Sequence, residues 1–166
     1  GAALFLKDRS ALRPKAGETC KIEPRANVSE AQIQIVGTSP KMVDAMGLAE
    51  RAALVNVSVL IHGETGVGKE LFARLIHSRL PDDKAPYVPV NCAAISSDLI
   101  GAELFGYAEG AFTGAAQGGR TGKFELANGG VLCLDEIGDM PIELQPYLLR
   151  ALEQRAIYRI GEELAG

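Results

Sequence analysis

Gly63 and Lys69 bracket the stretch GETGVGK, a G-x-x-x-x-G-K spacing that joins backbone freedom to one ammonium group. Gly63, Gly66 and Gly68 let the chain curl with its amides inward, forming a nest for phosphate oxygens, and Lys69 can then reach the outer phosphates. Further along, the apolar run Val131, Leu132, Cys133 and Leu134 ends in two acids, Asp135 and Glu136. Where such a run is a strand of a parallel sheet, its end faces the ligand crevice. Asp135 can then hold Mg²⁺, and Glu136 can orient and deprotonate an attacking water. Two acids after a strand are often only a solvated strand end; an upstream phosphate loop tips the reading to catalysis. Glu70 stands where a Ser or Thr hydroxyl ordinarily touches Mg²⁺, and a carboxylate there repels a triphosphate unless a metal or water intervenes.

These groups need elements to hold them. Val57, Val59, Leu60 and Ile61 are short, apolar and β-branched-rich, which suits a strand covered on both faces and feeding the loop. A helix opening near Lys69 adds free NH groups and the positive end of its dipole. Thr38, Ser39 and Pro40 read as a capped helix start, followed by Met42, Val43, Met46, Leu48, Ala49, Ala52 and Ala53 at mostly helical spacing. That stripe is core rather than a cofactor box. Tyr87, Val88 and Val90 predict a second strand ending at Asn91, and Ser97–Phe105 a short helix. The following GYAEGAFTGAAQGGRTG carries Gly106, Gly110, Gly114, Gly118, Gly119 and Gly122, a density that excludes a regular helix throughout. Phe112 lies near its middle, suited either to tuck onto the domain or to form a contact tip. Lys123–Ala127 predicts a helical piece and Val131–Leu134 the third strand. Asp139–Leu152 predicts a helix that begins or kinks at Pro146, and Ala156–Ile160 a strand or hairpin arm.

The 166 residues give room for about one domain. Residues 31–166 form it, and residues 1–30, with Pro14, Pro24 and a brief apolar patch at Ala2–Leu6, read as a linker or the remnant of an upstream domain. The absent initiator Met is read as the mark of an excised fragment. No apolar run approaches the roughly 20 residues of a membrane span, and the start is too soon charged for a signal peptide, so a cytoplasmic protein with no membrane partner is expected. Cys20, Cys92 and Cys133 are too few and too far apart for a disulfide framework or zinc pattern, and His62 and His77 form no ligand cluster. Residues 1–25 hold six Lys or Arg against three acids, leaving eleven against eighteen in the rest. An acidic body matches a phosphate backbone poorly, so this segment is not expected to bind DNA.

The motifs VGTSP (36–40), GETGVGKELFAR (63–74), NCAAI (91–95), ELFGYAEGAFTGA (103–115), GKFELANGGVLCLDEIGDMP (122–141) and LLRALEQ (148–154) occur in one order. In them the chain resembles the sigma-54-dependent transcriptional activators, or bacterial enhancer-binding proteins, within the AAA+ ATPases. The resemblance covers about residues 33–166, and in that family the phosphate loop commonly ends in GKE, which makes Glu70 a membership mark. It implies an α/β P-loop NTPase of AAA+ type, a parallel sheet flanked by helices, with the carboxy-terminal part of the sheet and the helical lid missing. It implies ATP and Mg²⁺ as cofactors, the phosphates held by Gly63, Glu64, Thr65, Gly66, Val67, Gly68, Lys69 and Glu70, and the adenine near Ile35, Val36 and Gly37. Asp135 matches the Mg²⁺ ligand, Glu136 the catalytic glutamate, and Asn91 a switch asparagine holding that glutamate. Gly110, Ala111, Phe112, Thr113, Gly114 and Ala115 match the loop that engages sigma-54. Arg159 matches an arginine at the subunit boundary, a surface charge on a hairpin being nearly as good a reading. Family members assemble as hexameric rings that remodel sigma-54 RNA polymerase, and they contact DNA through a domain beyond the lid. The alternatives are an AAA+ remodeller of another target and a nucleotide-binding module without hydrolysis.

The usual AAA+ sheet order, 5-1-4-3-2, puts a strand absent here between the first and third. On that reading two central edges are unpaired, and the 166 residues alone are expected to be poorly stable and to hydrolyse ATP at no useful rate. Thermal unfolding and an ATPase assay check this. A cooperative transition together with robust turnover contradicts it.

Overall fold

The computed structural model describes residues 2–7 and 35–161. In chain order the elements are β1 (Ala2–Lys7), α1 (Pro40–Leu54), β2 (Val59–His62), α2 (Lys69–Ser78), β3 (Tyr87–Asn91), α3 (Ser97–Phe105), β4 (Gly106–Tyr107), β5 (Arg120–Thr121), α4 (Lys123–Leu126), β6 (Val131–Asp135) and α5 (Gln145–Gln154). Ser39 caps α1 as its sequence predicts, its hydroxyl accepting from the Met42 amide with Pro40 in the first turn. Pro146 lies in the first turn of α5, after a 3-10 turn at Ile142–Leu144. The regular helix therefore starts there rather than kinking, because a first-turn proline forfeits no intrahelical hydrogen bond.

The main sheet has the order β2-β1-β6-β3. β3 and β6 pair in parallel, whereas β1 runs antiparallel to both of its neighbours. Two expectations are corrected here. The sheet is mixed rather than parallel, and residues 2–7, within the stretch read as linker, form its second strand. β1 fills the gap between β2 and β6, so those edges are paired. The apolar run Ala2–Leu6 was too short and too far from the other motifs in sequence to signal this. Pairing across such a separation is a tertiary event.

β6 forms the centre. Leu132 and Leu134 face one side, packing with Val90, Ile100, Leu104, Phe105, Phe124 and Leu148. Val131 and Cys133 face the other, with Ala3 and Ala73. Helices α3, α4 and α5 thus cover one face of the sheet and α2 the other, with α1 packed on α2 through Ala49, Ala53, Leu75 and Ile76. Full burial of each β6 leucine contributes about 1.5–3 kcal/mol. The β2 strand departs from expectation. It is one of the two outer strands of this sheet among the described residues, its burial alternates, and Leu60 is 56% exposed. Residues 156–160 form no strand; Ile160 makes an isolated parallel bridge to Tyr107.

β4 and β5 pair as a short antiparallel ribbon at the base of the glycine-rich loop. Gly106 and Gly110 share a left-handed backbone, φ 74° and 75°, but a Cβ at Gly106 would run into the Arg120 carbonyl oxygen, while one at Gly110 meets nothing within 4 Å. Ala at either position carries a positive-φ cost of about 1 kcal/mol, and Gly106→Ala adds a backbone of ψ −176° that is essentially reserved to glycine together with a steric clash, each of roughly 1–3 kcal/mol. Denaturant unfolding of the two variants is expected to show that difference. Equal destabilisation would mean the ribbon does not close against Gly106.

Candidate functional site

Because β2 and β6 both run against β1, they run parallel to each other. β6 also parallels β3, so the carboxy ends of all three lie at one edge of the sheet. That edge assembles the predicted chemistry. β2 ends at His62 and passes into the loop 63–68; β3 ends at Asn91, level with Asp135 at the end of β6.

Gly66 and Gly68 take left-handed backbone angles, φ 84° and 91°, and Gly68 caps the amino end of α2. A Cβ at Gly66 would meet nothing, so its glycine serves conformation rather than close packing. Lys69, the first residue of α2, is only 6% exposed. Its Nζ donates to the carbonyls of Glu64 at 3.0 Å and Gly63 at 3.4 Å. The ammonium is thereby folded over its own loop, and carbonyl dipoles stabilise a charge that burial would otherwise penalise. A cation so placed, beside a nest of amides and a helix amino end, suits phosphate oxygens.

Glu70 points elsewhere. Its carboxylate accepts from the Arg74 guanidinium at 2.7 and 3.1 Å, one helical turn on, with both side chains largely exposed. The Glu70 charge is thereby balanced within the helix. Thr65 and Val67 are exposed in the loop turn. Val36 is 84% exposed beside Gly37, ahead of α1.

At the β6 end, Asp135 accepts the Glu136 amide through Oδ1 at 3.0 Å. Glu136 adopts φ 49°, an uncommon left-handed backbone for a side chain of its size, and it opens the 3-10 turn Ile137–Asp139. The strand thus ends in a sharp change of backbone direction at Glu136. Asn91 uses Oδ1 to accept from Ala93 N–H at 2.9 Å, capping the turn Cys92–Ala94. Its hydrogen bond here is local rather than to Glu136. The donor set of an Asp carboxylate at a strand end beside a phosphate loop fits a hard cation such as Mg²⁺, which keeps most of its own water and takes one or two carboxylates. Cys92 and Cys133 are buried, and burial pushes both thiols up to about 11, Cys92 with help from the Asp135 and Asp139 carboxylates. They stay protonated and inert.

The loop Gly110–Ala115 closes on turns from Ala111 N–H to Ala108 O and from Ala115 N–H to Phe112 O. Phe112 is about half exposed and meets Tyr107 edge-on, ring centroids 5.0 Å apart. Phe112 thus leans on the ribbon and still presents surface. Tyr107 is the supporting residue sequence reasoning missed. Its signal was an aromatic beside Gly106, at the foot of the loop. Ala108 N–H donates to Ile160 O at 2.9 Å and Ile160 N–H to Gly106 O at 3.0 Å, tying the ribbon to the segment after α5. On that segment Arg159 forms a two-pronged ion pair with Glu125, at 2.8 and 2.9 Å. Within this chain it is neither a hairpin residue nor a loose surface charge.

Residues 35–165 match the Sigma-54 interaction domain family. Among curated relatives, a Geobacillus stearothermophilus protein named limonene hydroxylase is 54% identical over 129 residues, 78% of this chain and 24% of that protein. The DNA-binding transcriptional regulator NtrC of Escherichia coli K12 is 50% identical over 127 residues, 76% of this chain and 27% of that one. The chain therefore spans about a quarter of the length of the curated relatives it matches. The crystal structure of NtrX from Brucella abortus in complex with ATP matches 82% of this chain and 29% of its own, at 35% identity and TM-score 0.65. That likeness supports an α/β P-loop fold of AAA+ type, of which this chain holds part. By the family match over most of its length, the chain belongs to the Sigma-54 interaction domain family.

Proposed function

We propose that this chain is the nucleotide-binding part of an ATPase motor domain that acts on sigma-54 RNA polymerase. The single observation that carries the reading is the convergence at one sheet edge of the 63–69 loop, Asn91 and the Asp135–Glu136 pair. In the proposed mechanism the loop amides from Gly63 to Glu70 cradle the ATP phosphates. The Lys69 Nζ exchanges its carbonyl partners for the outer phosphate oxygens, spreading the negative charge that phosphoryl transfer develops there. Asp135 would hold Mg²⁺, which when bound neutralises phosphate charge. The Glu136 carboxylate orients a water and accepts its proton. Ile35, Val36 and Gly37 lie toward the adenine.

Asn91 is proposed as the switch that holds Glu136 in one nucleotide state, which requires it to leave its present bond to Ala93. Gly110, Ala111, Phe112, Thr113, Gly114 and Ala115 form the proposed sigma-54 contact. The ribbon β4-β5 lies between β3 and β6 in sequence, both of which end at the site, so a shift at either can lever the loop. Arg159 is proposed to act at a subunit boundary of a hexameric ring, giving up its Glu125 partner on assembly. Cytoplasmic location fits the reading; among the described residues no helix is long and apolar enough to cross a membrane.

Removing the Lys69 charge deletes a charge-assisted contact of about 1.5–3 kcal/mol, so Lys69→Ala is expected to weaken nucleotide binding roughly 10- to 100-fold by calorimetry. Glu70→Ala, which breaks an exposed i,i+4 pair, is expected to change stability by no more than about 0.5 kcal/mol and affinity by less than about twofold. A larger loss of affinity would place the Glu70 side chain on the ligand. Sigma-54 binding by the longer chain carrying this domain, with a transition-state mimic of ATP, tests the output. Binding that needs the mimic and vanishes in Phe112→Ala supports the motor reading; nucleotide binding without any sigma-54 binding assigns the domain to another partner.

A further inference from the structure

Glu103 lies in the last turn of α3, just ahead of β4, with its side chain 24% exposed. One carboxylate oxygen meets the Arg120 guanidinium at 2.8 Å, and the other meets the Lys123 ammonium more loosely at 3.9 Å. Arg120 opens β5 and Lys123 opens α4, so one carboxylate ties the segment entering the glycine-rich loop to the segment leaving it. The ribbon needs such a tie. β4 and β5 pair at only two positions, Gly106 with Thr121 and Tyr107 with Arg120, and so short a ribbon has little stability of its own. Gly106 joins α3 to β4 in a conformation, φ 74° and ψ −176°, that only glycine adopts freely, which makes it the natural pivot between helix and ribbon. The Ile160 backbone holds β4, and the Glu103 carboxylate holds β5. At its other end α3 follows the turn Cys92–Ala94, which Asn91 caps. Contiguous elements therefore run from the strand end at Asn91 through α3 to the foot of the loop.

We propose that Glu103 is a positioning residue that makes α3 and both legs of the glycine-rich loop move as one body. The inference rests on the reading of residues 110–115 as the sigma-54 contact, and it adds how that contact is aimed. With the carboxylate in place, a shift of α3 reaches β4 through the chain and β5 through Arg120, so the ribbon turns as a unit. Tyr107, which stands opposite Arg120 and supports Phe112, turns with it. Without the carboxylate the chain swivels at Gly106, and the helix no longer aims the tip. Arg120 is more than half exposed, so the pair adds little to folding stability and its effect falls on orientation.

The test uses the longer chain carrying this domain, in a Cys20→Ser background, with spin labels on Asp98→Cys and Gln117→Cys. Both positions are exposed, one on α3 and one on the leg ahead of β5, whereas Cys92 and Cys133 are buried and escape labelling. Glu103→Gln keeps the shape and removes the charge. It is expected to broaden the label-to-label distance distribution about twofold, Arg120→Gln to do the same, and the two together to do no more than either alone. Arg120→Lys, which keeps a cation, should stay near the parent. Without labels, each Gln variant is expected to bind sigma-54 about three- to tenfold more weakly in the presence of the ATP transition-state mimic, with nucleotide affinity changed by less than about twofold. Unbroadened distances, additive effects of the two Gln changes, or full sigma-54 binding by a broadened variant would overturn the proposal. A parent chain that binds no sigma-54 would sink the partner reading alone, because the label distances decide the brace without any partner present.

Discussion

The paired registry of β6 is the constraint on which the rest of this structure depends. A strand of five residues, four of them almost fully buried, must hydrogen-bond on both edges and pack on both faces at once. A slip of one residue would turn Leu132 and Leu134 toward α2 and bring Val131 and Cys133 under α3 and α5. It would also carry Asp135 and Glu136 out of line with Asn91. Core packing and site geometry are therefore one requirement, met by the same five residues.

The site follows from how the strands end. Apolar side chains are used up along β2, β3 and β6, and polar residues or glycines follow immediately, so backbone amides and carboxylates gather where the sheet gives out. Lys69 shows the energetic side of this arrangement. An ammonium that is almost wholly buried needs acceptors, and the loop turns two carbonyls toward it. Glu136 shows the conformational side, in a left-handed backbone one residue beyond the strand's end at Asp135.

The glycine-rich loop obeys different rules. It is anchored at its foot, where Gly106 meets β5 and Ile160 bonds to both Gly106 and Ala108, while Gly110 and Gly114 have open space around them. Packing fixes the base and leaves the tip to its own turns and to the Tyr107–Phe112 contact. Arg159, bound to Glu125, locks the segment that braces this base to α4.

Sequence by itself determined whatever is local. The phosphate loop between a strand and a helix, the Ser39 cap, the first-turn prolines, the β6 run and its two acids, and the helix Ser97–Phe105 all sit within a few residues of the groups that cause them, so spacing and residue type suffice. Tertiary structure alone decided what depends on distant partners. Residues 2–7 are a strand because β2 and β6 stand one strand's width apart. Leu60 on β2 is left exposed, Glu70 turns to Arg74, Arg159 finds Glu125 34 residues away, and 156–160 is a brace rather than a strand. Each of these outcomes is set by which surfaces meet after the chain has closed, a quantity that short-range periodicity does not contain.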